Sequence, residues 1–566
     1  MKLRGSRRLT GPNLLWEHPG ALIQVGVASG DLRHAIEAWR RGAGEILEAV
    51  GWGDERTAVR RFHGGADLAI SAPIDGLYAA CRVNEWAWEA ACAALQEREA
   101  PSLEQAARRL AGLIEKERNP RLLALQSAAT ERGLGFLWDD DLTSVGMGEG
   151  SRTWPTKDLP EPTDVDWAGV HDVPVLLVTG TNGKTTTVRM LASIARAAGR
   201  TPGFCTTDWI RVGDEIVDEG DWSGPGAARQ VLRHPKTQIA ILEVARGGML
   251  RRGLGVVRAD AAAVLNVTDD HLGEFGVDDR ETLIETKFVI RRALAPHSPL
   301  ILNAEDEGVR RRGRKIDAKV TWFALDRRKI PDDAAAACIV QNGALTLIEE
   351  DLSGAVVPVD EVPATFGGAA RFNVSNALAA LGLAAAIDIP LPAIAQGLRD
   401  FQSSPDLNPG RGNLFELGGV TVIVDFAHNP HGIAALLEMA GAMPARRSLL
   451  TLGQGGDRTD DAIRDLARVA WEARPDRIIL KEMQKYLRGR SAGEVVDIME
   501  RELRVAGAPS ERLGRAASEM EAVTQALEWA EEGDLLLFSL QAERDAALEL
   551  LTSLQASGWK PGAPLP

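Results

Sequence analysis

Short unbroken apolar runs punctuate the chain, and between them apolar residues recur every three or four positions. The first pattern is that of buried strands, the second that of helices with one covered face. Three blocks follow from how the two alternate. The first, residues 1–155, carries a strand expected over Ala21–Val27. An amphipathic helix follows, with Leu32, Ile36, Trp39, Ala43 and Leu47 on one face. More helix is expected around Trp86–Gln96 and from Leu103 to Arg132, and Leu142–Gly150 reads as a glycine-rich turn or hairpin. The proline-bearing stretch Trp154–Pro174 reads as a linker between folding units.

The second block, residues 171–405, has strand-like runs at Val175–Val178, Ile239–Val244, Ala261–Val267 and Leu300–Leu302, with helical patterns between several of them. Alternation of this kind implies a mostly parallel sheet covered on both faces. Arg327–Ala337 reads as a surface excursion. The third block, residues 406–566, repeats the alternation: strands at Val420–Asp425, Leu449–Leu452, Arg477–Leu480 and Leu535–Phe538, helices at Ala462–Glu472 and Glu519–Glu531. The expected class is α/β multidomain: an α+β first domain, a central P-loop domain on a mostly parallel sheet, and a Rossmann-like C-terminal domain. No tandem repeat of solenoid period is present.

A chain of 566 residues is too long for one core, in line with three or so domains. Apolar content of 45% and charged content of 26% are those of a globular protein. A net charge of −15 argues against a general binder of nucleic acid or of a membrane surface. The four cysteines, Cys81, Cys92, Cys205 and Cys338, lack CxxC spacing, which fits a reducing cytoplasm and offers neither a metal nor a disulfide framework. No apolar run reaches the length of a membrane span, and the basic start MKLRGSRRLTGPN lacks the apolar core of a signal peptide. A cytoplasmic location is the expectation.

The chemistry concentrates in VPVLLVTGTNGKTTTVR, Val173–Arg189. A buried-strand run leads into Gly180, Thr181, Asn182, Gly183, Lys184, Thr185 and Thr186, and then into a helical pattern. Strand, glycine loop and helix together form the setting of a phosphate-binding loop. Glycines let backbone N–H groups turn onto phosphate oxygens, and the helix N-terminus adds favourable partial charge. Lys184 suits the outer phosphates and Thr185 a Mg²⁺ ion. Val178 stands where the commoner loop has its first glycine, so this is the shorter kind.

Other candidates carry two readings each. Glu243 ends an apolar strand before Arg246-Gly247-Gly248, where open α/β sheets place ligands; it is either a Mg²⁺ ligand or a strand-end surface carboxylate. His271, in NVTDDHLGEFG, is either a second metal ligand or part of a capping turn started by Asp270. Lys287 lies in an expected helix, where a solvated lysine is the default. Asp425 and His428, in TVIVDFAHNPHG, read equally as ribose and phosphate contacts or as a helix-capping arrangement.

Taken together these segments resemble the Mur ligase family of ATP-dependent amide-bond-forming enzymes. The motifs run in family order: TGTNGKTTT at Thr179–Thr187, LEVARGG at Leu242–Gly248, NVTDDHLG at Asn266–Gly273, Lys287, LNAEDE at Leu302–Glu307, RFNVSNALAA at Arg371–Ala380, PGRGNLFE at Pro409–Glu416 and DFAHNPHG at Asp425–Gly432. Within the family the likeness is greatest to the Mur-like half of cyanophycin synthetase, through EVARGGMLRRGLG, TTDWI, GRGNLFELGGVTVIVDFAHNP and KEMQKYLRGRSAGE. The first block is similar to that enzyme's N-terminal domain at its two ends, RRLTGPNLLWEHPGALIQVGV and RGLGFLWDDDLTSVGMGEGSRTWP. The departure is that no ATP-grasp domain stands between the two parts, so this chain alone is not expected to build the Asp–Arg polymer.

The resemblance implies roles. Lys184 and Thr185 hold ATP phosphates and Mg²⁺; Thr185, Thr207, Glu243 and His271 form the metal set, with Thr206 lining the same region. Lys287 matches a position that is carbamylated in many Mur ligases. Asn303, Asn373 and Asn376 match positions near the nucleotide or closing the central fold, with adenine contact assigned to Asn303. Arg411, Asp425 and His428 come onto ribose and phosphate from the third domain, so domain closure completes the site. Lys184, Lys287, His271 and His428 are the catalytic candidates. The implied reaction forms an acyl phosphate from ATP and a peptide-like or acidic carboxylate, then an amide with an amino acid, arginine being the amine suggested. RGRSAGE, Arg488–Glu494, either selects that amino acid or orders the third domain. Lys2, Arg4, Arg7 and Arg8 either hold an acidic substrate or form a flexible terminus. Two rivals stand beside this reading: a non-catalytic polymer-binding partner of a separate ATP-grasp ligase, and a phosphotransferase that forms no amide. No nucleic-acid or membrane partner is expected; a homo-oligomer is compatible with the sequence.

Overall fold

The computed structural model describes residues 1–270, 272–349 and 353–565. It falls into two compact units. One gathers Met1–Cys338 with two short later segments, and the other holds most of the remainder, including Ala395 onward.

The first unit begins with a four-stranded antiparallel sheet in the order Lys2–Leu9, Gly20–Gly26, Gly65–Ser71, Thr57–Phe62. One face packs on the helices Leu32–Ala49 and Leu77–Leu95, burying Ile23, Leu68, Ile36, Trp39 and Ile46. The basic start is therefore a paired strand and not a loose terminus. Arg7 donates to Leu250 O at 3.0 Å, and Arg8 forms a forked pair with Asp140 at 2.8 and 3.1 Å. Those two guanidiniums are spent within the fold. The helical stretch after Leu103 is two helices, Leu103–Glu117 and Pro120–Glu131. Pro120 cannot donate to a continuing helix, and Asn119 instead caps a new one, accepting from Leu122 N–H at 3.2 Å. The expected linker is packed: Leu159, Val165 and Val170 are buried with Leu122, Leu125 and Ala129. It forms two short 3-10 turns, Pro162–Asp164 and Trp167–Gly169, while its few apolar side chains find a surface to cover.

The central sheet of this unit runs Glu215–Glu219, Trp209–Val212, Pro202–Cys205, Ile239–Glu243, Val175–Thr179, Ala261–Val264, Leu300–Asn303, Val320–Ala324. From Pro202–Cys205 to Val320–Ala324 it is parallel, and the first two pairings are antiparallel. Val175–Thr179 lies between Ile239–Glu243 and Ala261–Val264, so three strand ends open at one edge beside the glycine loop. The expected excursion at Arg327–Ala337 holds one 3-10 turn, Arg327–Lys329, and the start of the strand Ala336–Gln341.

The second unit holds a six-stranded sheet in the order Arg411–Leu417, Val420–Asp425, Leu535–Ser539, Ser448–Leu452, Arg477–Lys481, Leu513–Ala516. All neighbours are parallel except the first pair. The architecture is α/β and multidomain. No helix among the described residues is long and apolar enough to cross a membrane.

One buried amide ties the first sheet to its helices. Asn84 donates to Ala21 O at 3.1 Å and Leu68 O at 3.0 Å, and accepts from Trp39 Nε1 at 2.9 Å. Asn84→Leu removes all three bonds and leaves the buried Trp39 indole N–H without its acceptor, and it should cost roughly 3 kcal/mol. Calorimetric melting of the whole chain checks this through a lowered transition for the first unit.

Candidate active site

The glycine loop is held open by its neighbours. Gly183 has φ +87, a conformation glycine adopts without penalty, and it starts the helix Lys184–Ala197. Gly180 has no room for a side chain, since a Cβ there would lie 2.9 Å from that of Leu265. The segment after Ala261–Val264 pairs with the loop residue by residue. Thr181 N–H donates to Asn266 O at 2.9 Å, and Asn182 N–H to Asn266 Oδ1 at 2.8 Å. Asn266 Nδ2 returns a bond to Asn182 O at 3.0 Å. Thr268 N–H donates to the Thr181 hydroxyl at 3.1 Å. The loop's shape is thus set by protein contacts before any anion arrives, which is how preorganised phosphate sites are built.

Charge gathers at the loop's exit. Glu243 is 2% exposed, which overturns the surface-carboxylate reading. Its Oε2 accepts from the Thr185 hydroxyl at 2.8 Å, and Thr207 Oγ1 lies 3.4 Å from Thr185 Oγ1. Its Oε1 is buried, has no hydrogen-bond partner among the described residues, and lies 4.0 Å from Lys184 Nζ. Lys184 also donates to Thr181 O at 3.0 Å. Glu243 further lines a small recess with Ser223, Gly224, Val244 and Gly248. Thr206 is fully buried and donates to Trp209 O at 3.5 Å, closing the turn that presents Thr207. The ion pair Arg189–Asp208, at 2.6 Å, anchors that turn to the loop's helix.

An orphaned buried carboxylate oxygen beside two hydroxyls fits Mg²⁺, which takes few protein oxygens and leaves room for water and phosphate. Among the described residues no cluster of three or more His, Cys, Asp or Glu gathers to hold a metal. The donor set here is one carboxylate with threonine hydroxyls. His271 lies outside the described residues.

Lys287 ends the helix Arg280–Lys287 and is 4% exposed, so it is not a solvated helical lysine. Its Nζ donates to Gly180 O at 2.8 Å. Burial drives its pKa well below the ordinary lysine value; nearby Lys184 and Arg246 push the same way, while Asp270 and Glu243 oppose. Asn303 is engaged at both ends of its amide, donating to Leu265 O and accepting from Glu305 N–H, each at 2.8 Å. Asp306 accepts from Val267 N–H at 2.7 Å and from Val309 N–H at 3.0 Å, so LNAEDE fastens the strand-end segment that meets the glycine loop.

The remaining candidates belong to the second unit. Asn373 donates to Ala364 O at 2.8 Å and accepts from Asn376 at 3.1 Å, both side chains being buried. Asp425 ends its strand opposite Arg411, whose guanidinium lies 4.4 Å from the Phe426 ring centre. Although partly exposed, the Asp425 carboxyl is enclosed enough that burial pushes its pKa up to about 6, with Arg411 opposing. Its Oδ1 accepts from Ala427 N–H at 2.8 Å. His428 Nδ1 lies 3.1 Å from Phe426 O, and Gln454 donates to His428 O at 3.0 Å. The capping role falls to Asn429, which accepts from Gly432 N–H at 2.8 Å. In RGRSAGE, Arg490 binds Gly456 O at 3.0 Å, Arg458 O at 2.7 Å, Asp460 at 2.8 Å and Glu494 at 2.7 Å, so it orders two strand-end loops. Asn266, Asp306 and Gln454 fix loop backbone, and neither their type nor their spacing singles them out in the sequence.

Residues 178–384 match the Mur ligase middle domain and residues 410–539 the Mur ligase glutamate ligase domain. The chain belongs to the Mur ligase family. Cyanophycin synthetase of Synechocystis sp. is 36% identical over 399 residues, 68% of this chain and 44% of that protein. The chain thus spans less than half the length of that relative. UDP-N-acetylmuramoyl-L-alanyl-D-glutamate--2,6-diaminopimelate ligase of Gloeobacter violaceus is 28% identical over 305 residues, 52% of this chain and 58% of that protein. The solved E. coli FolC in complex with DHPP and ADP is 20% identical, covering 68% of this chain and 89% of that one with a TM-score of 0.49.

Asp425 gives the second unit of this Mur ligase a pH signature. The folded carboxyl binds its proton more tightly than an unfolded aspartate, so stability falls as pH rises from about 4 through about 6 and is level above. Asp425→Asn should remove that slope and leave the unit more stable than wild type at pH 7, with the two alike near pH 4. Urea titrations across this range measure it.

Proposed function

We propose that the chain is an ADP-forming, ATP-dependent carboxylate–amine ligase. The observation that carries the reading is the convergence of Lys184, Thr185, Thr207 and the buried Glu243 at the mouth of the glycine loop. A triphosphate and a carboxylate repel one another, and this mouth supplies the opposing charge. The loop N–H groups and Lys184 hold the transferring phosphoryl group. Thr185 and Glu243, with Thr207 and His271 proposed in the same set, would hold Mg²⁺, which would add to the neutralisation of the phosphate oxygens.

In this reading a substrate carboxylate oxygen attacks the γ-phosphorus and ADP leaves. The amine nitrogen then attacks the acyl carbon, phosphate leaves, and the nitrogen gives up a proton. An acyl phosphate is a far better electrophile than a carboxylate, because phosphate departs where oxide cannot. Arg411, Asp425 and His428 are assigned to ribose and phosphate, and Asn303 to the adenine side. The depressed pKa of Lys287 favours its neutral amine, the form that accepts carbon dioxide to become a carbamate. An amino acid is the proposed amine, arginine the first to test, and a peptide-like or acidic carboxylate the acceptor. The first block, residues 1–155, is proposed as the part that meets that acceptor. A separate ATP-grasp enzyme is the proposed source of the acceptor, and the cytoplasm the proposed location.

The test is ADP release across pooled amino acids and acidic peptides, with products weighed by mass spectrometry. Turnover should require both an acid and an amine and yield their sum less water. ADP release without any amine overturns amide formation. Lys184→Ala should abolish turnover, and Asp425→Ala should reduce it with nucleotide still partly bound. Wild-type turnover by Lys184→Ala overturns the assignment.

A further inference from the structure

The sheet of the first block has a second face, and one guanidinium on it reaches the central domain. Arg60, in the strand Thr57–Phe62, donates through Nη1 to Gly276 O at 2.7 Å and through Nη2 to Phe275 O at 2.6 Å. The same fork is fixed from behind by Asp67, which accepts from Nε at 3.0 Å and from Nη2 at 2.5 Å. Asp67 is 2% exposed and is itself held by Gln24 Nε2 at 3.0 Å. A buried aspartate, a fork with fixed geometry and two backbone carbonyls form a built junction, and lysine could not reproduce it.

The carbonyls it grips belong to a tight turn. Gly273 N–H donates to Val277 O at 2.9 Å. Phe275 and Gly276 both take left-handed backbone, at φ +54 and +64. For phenylalanine that conformation is costly and persists only under outside constraint. The Phe275 ring has Arg7 at 5.2 Å and Arg251 at 5.9 Å, and a Cβ on Gly276 would meet the Phe62 ring at 2.5 Å. The first block therefore grips this turn from several sides.

The turn leads directly into the site. On its far side Asp279 caps the helix Arg280–Lys287, accepting from Thr282 N–H at 2.7 Å, and that helix ends on the Lys287 amine bound to Gly180 O. Arg280 Nε donates to Val267 O at 2.9 Å, in the segment that pairs with the glycine loop. Glu274 forms an ion pair with Arg246, three residues beyond Glu243.

We propose that Arg60 is a positioning residue for the phosphate end of the site, acting through the 273–277 turn. The first block is then part of the nucleotide-handling machinery as well as an appended domain. The proposal rests on the ligase reading only for what the positioned groups finally do; the junction itself is testable without turnover.

The experiment uses the full chain in four forms: wild type, Arg60→Gln, Arg60→Lys and the exposed-site control Arg61→Gln. Hydrogen exchange is followed over 272–279 without nucleotide, and binding of AMPPNP is measured with and without Mg²⁺. In Arg60→Gln, exchange over 272–279 should quicken about tenfold, the lower range for losing a charge-assisted hydrogen bond. Exchange in the strand Ile239–Glu243 should be unchanged. The tightening of AMPPNP by Mg²⁺ should shrink about tenfold, with Mg²⁺-free binding unaltered. Arg60→Lys should resemble Arg60→Gln, and Arg61→Gln wild type. Wild-type exchange and wild-type Mg²⁺ tightening in Arg60→Gln overturn the proposal, as does full rescue by lysine. If Arg60→Gln fails to fold, Asp67→Asn, which keeps the guanidinium and weakens its anchor, is read by the same criteria. If wild type binds no nucleotide, the ligase reading falls, while the exchange comparison still decides the clamp.

Discussion

A carboxylate buried without full compensation is the constraint around which the first unit is built. Glu243 has one oxygen satisfied by Thr185 and the other facing Lys184 across 4.0 Å. Burying such a charge is costly unless charge or hydrogen bonds answer it. The fold sustains it by ending three parallel strands at one edge and closing a glycine loop across them. The parts that look independent along the chain are the supports of this one group. Asn266 sets the loop, Asp306 sets Asn266's segment, and the Arg189–Asp208 pair sets the turn that brings Thr207 close.

Desolvation then does different work on different groups. It lowers the pKa of Lys287 and raises that of Asp425, in each case disfavouring the charged form. Lys287, bound to Gly180 O, is further pressed toward neutrality by the charge of Lys184, which is held at the neighbouring Thr181 O. Perturbed groups of this kind cluster at functional sites. The second unit repeats the geometry with other residues: an acid at a strand end, an arginine opposite it, and a loop whose backbone is fixed by amides such as Gln454.

The first block shows how the same physics couples distant sequence. Its sheet covers helices on one face and reaches the central domain with the other, through Arg7 and Arg60. Arg7, in the basic start that reads either as a hold on an acidic substrate or as a flexible terminus, is consumed in this contact. The stretch that reads as a linker is packed for a related reason: Leu159, Val165 and Val170 complete a cluster that the helix Pro120–Glu131 leaves open.

What the sequence determined by itself is what short-range chemistry encodes. Strand, glycine loop and helix at Val175–Ala197 are signalled by residue types within a few positions of one another, and so were legible, as was the α/β alternation that follows from periodicity. Family membership was legible for the same reason, since its motifs are local strings. Tertiary structure alone decided the pairings across the chain: Thr185 with Glu243 at a separation of 58 residues, Lys287 with Gly180 at 107, Arg60 with Gly276 at 216. Periodicity says which face of an element is covered and never by what. The charge state of a lysine or an aspartate depends on the groups that remove its water, and those are chosen only when the strands are laid side by side.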